Sequence, residues 1–260
     1  MTLSALPNPP PDMPLLSTKN IPVRERLIVA LDTDTVDQAK ELVTALGDTV
    51  SFYKIGLSLI FDAGYWGLFD WLTSQGKKAF ADIKVYDIPE TVEASVKKLV
   101  GRGASFATVH AHENMIRAAV KGRGEHRELK ILAVTVLTSL DSGDLREMGV
   151  PQIDVKQLVL ARARRMLQAG CDGVISSGLE VASLRHDYGD NFLIVVPGIR
   201  PVENRLEGRD DQKRVVDVET AFRNGADYVV VGRPIRAVAD RRGAAADFQA
   251  RIAKMFSQSG

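Results

Sequence analysis

The run KILAVTVL, residues 130–137, is apolar or β-branched at every position after Lys130. A strand with one wet face alternates polar and apolar side chains, whereas a strand covered on both faces reads as an unbroken apolar run. The same pattern recurs in LIVAL at 27–31, FLIVV at 192–196 and YVVVG at 228–232. These segments therefore read as strands of a parallel sheet with helices packed on it.

Working outward, β-branched runs at 27–31, 51–55, 78–83, 106–110, 130–137, 173–176, 192–196 and 228–231 predict eight strands. Between them lie segments with apolar residues at helical spacing, such as 36–46, 91–101 and 155–169. Gly near the predicted helix ends, in GDTV, GCDG and GADY, supplies stop signals before strands two, six and eight. Eight βα units in roughly 235 residues match a single-domain α/β fold, the closed (β/α)8 TIM barrel of typically about 250 residues. An open doubly wound sheet is the fallback.

The expected organisation is an N-terminal arm at 1–24 followed by the barrel at 25–260. The arm holds six of the eleven prolines (Pro7, Pro9, Pro10, Pro11, Pro14 and Pro22) and reads as an extended segment of polyproline character. It lacks the basic start and apolar core of a secretory signal. A single cysteine, Cys171, forms neither an intramolecular disulfide nor a zinc site, which fits a reducing, cytoplasmic compartment. The 34 basic and 33 acidic residues leave a formal charge of +1, so no long-range field points to nucleic acid, a membrane surface or a polyacidic partner. No apolar run approaches the roughly 20 residues of a membrane-spanning helix.

Barrel active sites lie at the C-terminal ends of the strands. The residues expected there are Asp32, Lys54, Asp82 with Lys84, His110, Thr138 with Ser139, Gly198 with Arg200, and Gly232 with Arg233. Polar groups at seven strand ends thus converge on one mouth.

The stretch FADIKVYDIPET, residues 80–91, is the densest in chemistry. Asp82 and Lys84 are two apart, so in a regular strand they share a face. With Lys54 on the neighbouring strand and Asp87 beyond, amines and carboxylates alternate. A nearby carboxylate keeps an ammonium protonated, so such an array holds a proton donor ready. A structural ion-pair network is the plainer reading of the same residues.

GRPI at 232–235 opens a helix after strand eight, where free N–H groups and Arg233 suit an anion such as phosphate. VPGIR at 196–200 follows strand seven. The polar residues 203–214 after it read as a loop able to close over the mouth, with Gln212 as an amide donor. Lysines interleaved among the acids argue against a metal site. His110 reads as structural, and Cys171 as a buried small residue.

Taken together, ALD (30–32), YKIG (53–56), FADIKVYDIPET, VHA (109–111), TVLTS (135–139), VPGIR, DDQKRV (210–215) and VGRPI (231–235) make the chain resemble the orotidine 5′-monophosphate decarboxylase family. The motifs occur in family order across nearly the whole barrel. The resemblance implies decarboxylation of orotidine 5′-phosphate to uridine 5′-phosphate without metal or organic cofactor. It assigns Lys84 as proton donor to C6, Asp82 to the departing carboxylate, and Lys54 and Asp32 to the network and the ribose. Thr138 and Ser139 would meet the base, while Pro197, Gly198, Arg200, Gln212, Gly232 and Arg233 would surround the phosphate. It further implies a homodimer in which Asp87, with Ile88 and Thr91, enters the partner's site.

Glu90 stands where the family motif usually carries an amide. At a helix start a carboxylate is electrostatically favourable, so no catalytic role is put in doubt. Two other readings stay open: a metal-dependent sugar-phosphate lyase or decarboxylase on the same barrel, and a catalytically silent phosphate-binding barrel.

Overall fold

The computed structural model describes residues 15–150, 154–200 and 214–257. Eight parallel strands close into a barrel in sequence order: β1 (Leu27–Ala30), β2 (Phe52–Gly56), β3 (Lys78–Val85), β4 (Ala104–His110), β5 (Lys130–Val134), β6 (Gly173–Ile175), β7 (Leu193–Val196) and β8 (Tyr228–Val231). Closure is made by β1 on β8, with Leu27, Ile28 and Val29 opposite Val229, Val230 and Val231. The TIM-barrel expectation is borne out.

The helices wrap the outside: α1 (Val36–Leu46), α2 (Tyr65–Ser74), α3 (Pro89–Val100), α4 (Glu113–Arg123), α5 (Ser142–Glu147), α6 (Val155–Gln168), α7 (Val181–Tyr188), α8 (Val218–Arg223), α9 (Arg233–Arg236) and α10 (Arg241–Ser257). Their starts follow the sequence. Thr35 caps α1 through Gln38 N–H, Asp217 caps α8 through Thr220 N–H, and Pro89 opens α3 where its missing N–H costs nothing.

Period-two geometry divides each apolar strand between two cores. Leu27, Val29 and Leu31 face outward into the large core shared with the helices, whereas Ile28 and Ala30 face inward. The inner core is built from strand residues, including Phe52, Phe80, Phe106 and Tyr228. Phe106 meets Phe80 and Tyr228 edge to face, its ring centred 5.6 and 5.1 Å from theirs, and lies tilted by 60° against Phe52 at 5.0 Å. This aromatic layer fills the lower barrel.

Beneath it, the segment before β1 is tied to the barrel. Ile21 packs on the inner core, and Ser17 Oγ donates to the fully buried Asp227. Asp227 also takes Arg185 Nη2 at 2.7 Å and Ile194 N–H at 2.8 Å, so a buried charge has the partners it requires.

Most boundaries shift by one or two residues from the sequence reading, β4 for instance starting at Ala104 instead of 106, and three of the shifts bear on the site. Strand β5 stops at Val134 instead of 137, because Thr135 Oγ1 donates to Ile175 O and Arg162 takes Thr135 O, replacing the ladder with side-chain bonds. Strand β3 runs on to Val85, and α3 begins at Pro89, two residues early. Residues 203–213 of the expected closing loop, Gln212 included, and the first 14 residues of the arm lie outside the described residues.

Candidate active site

The strand layering that makes the aromatic floor also places the chemistry. Two residues beyond Phe52 stands Lys54, and two beyond Phe80 stands Asp82, each on the inward face one layer up. A cleft of about 600 Å3 opens there, at the C-terminal ends of the strands. Asp32, Lys54, Asp82, Lys84, Thr138, Ser139, Pro197, Gly198, Arg200, Gly232 and Arg233 all line it. His110 does not; its ring packs edge-on to Tyr86 at 5.3 Å. Burial, with the charges of Lys84 and Arg162 nearby, lowers the His110 pKa and favours the neutral ring.

Four charges form a chain across the floor. Lys54 Nζ lies 3.0 Å from Asp32 Oδ1 and 3.1 Å from Asp82 Oδ2, and Lys84 Nζ lies 2.9 Å from Asp82 Oδ1. Burial opposes ionisation of Asp82, but the ammonium groups of Lys54 and Lys84 outweigh it and hold the carboxyl down at about 2. Burial likewise penalises the Lys54 cation, and the carboxylates of Asp82 and Asp32 more than offset it, raising that pKa. The chain needs Gly56. A Cβ there would sit 2.9 Å from Asp32 Oδ1 and 3.4 Å from Lys54 Nζ.

Strand β3 is irregular where it delivers these groups. Ala81 pairs with Ala107 and Val85 with Val109, so four steps along β3 match two along β4. Within that bulge Lys84 has φ 47°, the one described non-glycine residue in the left-handed region. Such a conformation costs on the order of 1–3 kcal/mol and persists where surrounding contacts over-determine it.

The opposite wall is built from the loops after β7 and β8. Gly198 has φ 75°, which favours glycine, and Arg200 N–H bonds Val216 O at 3.0 Å. Helix α9 is a single turn, so its dipole adds little and the positive charge of this wall comes from guanidinium groups, Arg233 and Arg200 among them. Sequence reasoning passed over two cations here. Arg236, one turn after Arg233, also lines the cleft. Arg214, buried, joins Glu180 at 2.7 Å and donates to the carbonyls of Val136 and Leu137, bracing the backbone that leads into Thr138 and Ser139.

Asp87, Ile88 and Thr91 stand apart. They do not line the cleft and are exposed, and Asp87 Oδ1 accepts from Ile88 N–H at 2.7 Å. Tyr86 and Ile88 in the same stretch, and Leu57 and Phe61 just after β2, leave large apolar surface in solvent, with Phe61 88% exposed. Among the described residues, no three His, Cys, Asp or Glu side chains converge as metal ligands. Between Asp32 and Asp82, the two acids nearest each other at the floor, sits the Lys54 ammonium.

Comparison with known proteins agrees with this geometry. Residues 25–248 match the model of the orotidine 5′-phosphate decarboxylase / HUMPS family. A protein of Methylococcus capsulatus named orotidine 5′-phosphate decarboxylase is 57% identical over 242 residues, covering 93% of this chain and 98% of the relative. One of the same name from Nitrobacter winogradskyi is 49% identical over 222 residues, covering 85% of this chain and 90% of the relative. The crystal structure of orotidine 5′-phosphate decarboxylase from Lactobacillus acidophilus superposes with a TM-score of 0.77 at 36% identity, covering 88% of this chain and 99% of that one. With matching family model, relatives and barrel, the chain belongs to the orotidine 5′-phosphate decarboxylase / HUMPS family.

Proposed function

We infer that this cleft decarboxylates orotidine 5′-phosphate to uridine 5′-phosphate and carbon dioxide, a carboxy-lyase step of pyrimidine biosynthesis, with no metal or organic cofactor. The observation that carries the reading is the Lys54–Asp82–Lys84 chain, a buried carboxylate flanked by two amines at 3.1 and 2.9 Å on the cleft floor.

In this reading the substrate's C6 carboxylate lies against Asp82. The two negative charges repel, and that repulsion is relieved as the C6–carboxylate bond breaks and neutral carbon dioxide departs. The bonding electron pair stays on C6. Lys84 Nζ–H gives its proton to that carbon, and the amine recovers a proton from solvent. Asp82 thus has a second task, holding the Lys84 ammonium beside the developing charge.

Lys54 and Asp32 serve the ribose, while Thr138 and Ser139 serve the base. Arg233, Gly232, Arg200, Gly198, Pro197 and Gln212 take the phosphate, whose binding energy helps close and dry the site. The sugar-phosphate lyase reading is disfavoured because a metal between Asp32 and Asp82 would have to displace Lys54. A silent barrel would not need Asp82 and Lys84 joined.

The working unit is a homodimer. Asp87, Ile88 and Thr91 turn away from their own cleft amid exposed apolar side chains, and that supports their entering the partner's site. A cytoplasmic location is supported by the single, buried Cys171, and among the described residues no helix is long and apolar enough to cross a membrane.

The test is the change in ultraviolet absorbance of orotidine 5′-phosphate with chelator-treated protein. Turnover that survives chelation is expected. No turnover would sink the reading, and rescue by magnesium would promote the lyase.

A further inference from the structure

We propose that Thr108 is a positioning residue for this reaction, its hydroxyl fixing both the backbone and the carboxylate partner of Lys84. The proposal rests on the decarboxylase reading for its kinetic consequences, and on geometry alone for its structural ones.

Thr108 lies on β4 between Ala107 and Val109, the two residues that frame the β3 bulge. It stands two residues beyond Phe106 of the aromatic floor, in the layer of Lys54 and Asp82, and it is fully buried. In that bulge the N–H of Lys84 is bonded by a side chain: Thr108 Oγ1 accepts it at 2.9 Å. The same oxygen donates its single proton to Asp82 Oδ1 at 3.0 Å. Asp82 Oδ1 in turn accepts from Lys84 Nζ at 2.9 Å. One hydroxyl therefore closes a ring that runs from the Lys84 backbone through Thr108 and Asp82 to the Lys84 ammonium.

The ring accounts for the backbone of Lys84. A lysine at φ 47° is held there by contacts that outweigh its steric cost, and the hydroxyl bond to its own N–H is the direct one. It also accounts for the residue type. A buried inward position above Phe106 would be served as well by valine if packing were all it did, yet valine can neither accept from Lys84 nor donate to Asp82. Serine can do both. Without the hydroxyl, Asp82 loses one donor and the Lys84 N–H loses its acceptor, so the ammonium is free to drift from where C6 is protonated. Misplacement by about 1 Å costs on the order of 100-fold in rate.

The experiment compares Thr108→Val and Thr108→Ala, which remove the hydroxyl, with Thr108→Ser, which keeps it. With orotidine 5′-phosphate, the Val and Ala variants are expected to lose about 10- to 100-fold in kcat while KM changes by less than about threefold, and Ser is expected to stay within about threefold of wild type in both. If Val misfolds, Ala carries the comparison. A crystal structure of the Val or Ala variant should show Lys84 φ leaving the positive region and Lys84 Nζ beyond about 3.5 Å from Asp82 Oδ1. Wild-type kcat in both hydroxyl-free variants, a serine variant as slow as they are, or an undisturbed Lys84 in the crystal would each overturn the proposal. Absence of turnover by the wild-type protein would instead refute the decarboxylase reading, leaving the crystallographic result to decide the role of Thr108.

Discussion

Lys84 Nζ stands 2.9 Å from Asp82 Oδ1, two residues back on the same strand, while the Lys84 backbone sits at φ 47°. In the proposed mechanism this ammonium is the proton donor, and the constrained backbone aims it. Replacing it with Lys84→Ala should lower turnover by at least about 1,000-fold, since both proton transfer and charge stabilisation are lost. Binding of uridine 5′-phosphate, followed by calorimetry, should persist because the phosphate and base contacts remain. Substantial residual turnover would exclude Lys84 as the donor.

The proposed sharing of the site between two subunits makes a sharper demand on Asp87. Inactive Lys84→Ala and Asp87→Ala homodimers, mixed under conditions of verified subunit exchange, should regain activity. At equal amounts half of the dimers are mixed, and each has one site free of both changes, so about a quarter of wild-type activity is the ceiling. No recovery after proven exchange argues that each cleft is self-sufficient.

The depressed pKa of Asp82 links the site to acid stability. Its carboxyl is held at about 2 in the folded protein, against an ordinary 3.8, so the stabilisation is full above about pH 4 and is lost as pH falls toward 2. The magnitude is on the order of 2 kcal/mol. Denaturant titrations of wild type and Asp82→Asn across this window should differ in slope, the variant being flatter. Parallel curves would mean that the pair contributes nothing to the acid limb.

Asp227 supplies the opposite control, at the far end of the barrel. Asp227→Ala leaves Arg185 buried beside an empty place, and breaking such a pair costs about 3–5 kcal/mol. In a chain of this size that lowers Tm by roughly 10 °C. Turnover at 25 °C should stay within about twofold of wild type, because the substitution lies beneath the aromatic layer. A comparable loss of kcat with an unchanged Tm would show that floor and mouth are coupled.

How far the chain could be read before folding depended on periodicity. Leu27 to Leu31 betrays burial on both faces because outward Leu27 and Val29 and inward Ile28 and Ala30 are all apolar. The cleft residues were legible for the related reason that polar side chains follow directly on such runs, as Asp32 and Asp82 do. Strand β5 was overread by three residues, since Thr135, Val136 and Leu137 stay apolar or β-branched after the ladder has given way to side-chain bonds.

Thr108 escaped notice because a threonine inside FATVH is indistinguishable by pattern from a β-branched packing residue. The left-handed turn at Lys84 was equally hidden, as DIK alternates like any regular strand. Arg214 and Glu180 are 34 residues apart, and nothing in their spacing announces a buried pair. What pattern misses in each case is a bond between elements brought together by closure of the barrel.

The rings of Phe52, Phe80, Phe106 and Tyr228 turn the barrel from a tube into a cup. A cup has one opening, so substrate enters and both products depart by the same door. Uridine 5′-phosphate lingering in that doorway must exclude its own precursor, and steady-state product inhibition should be purely competitive; a mixed pattern would show that the product also binds outside the cleft or to a form of the enzyme other than the free one.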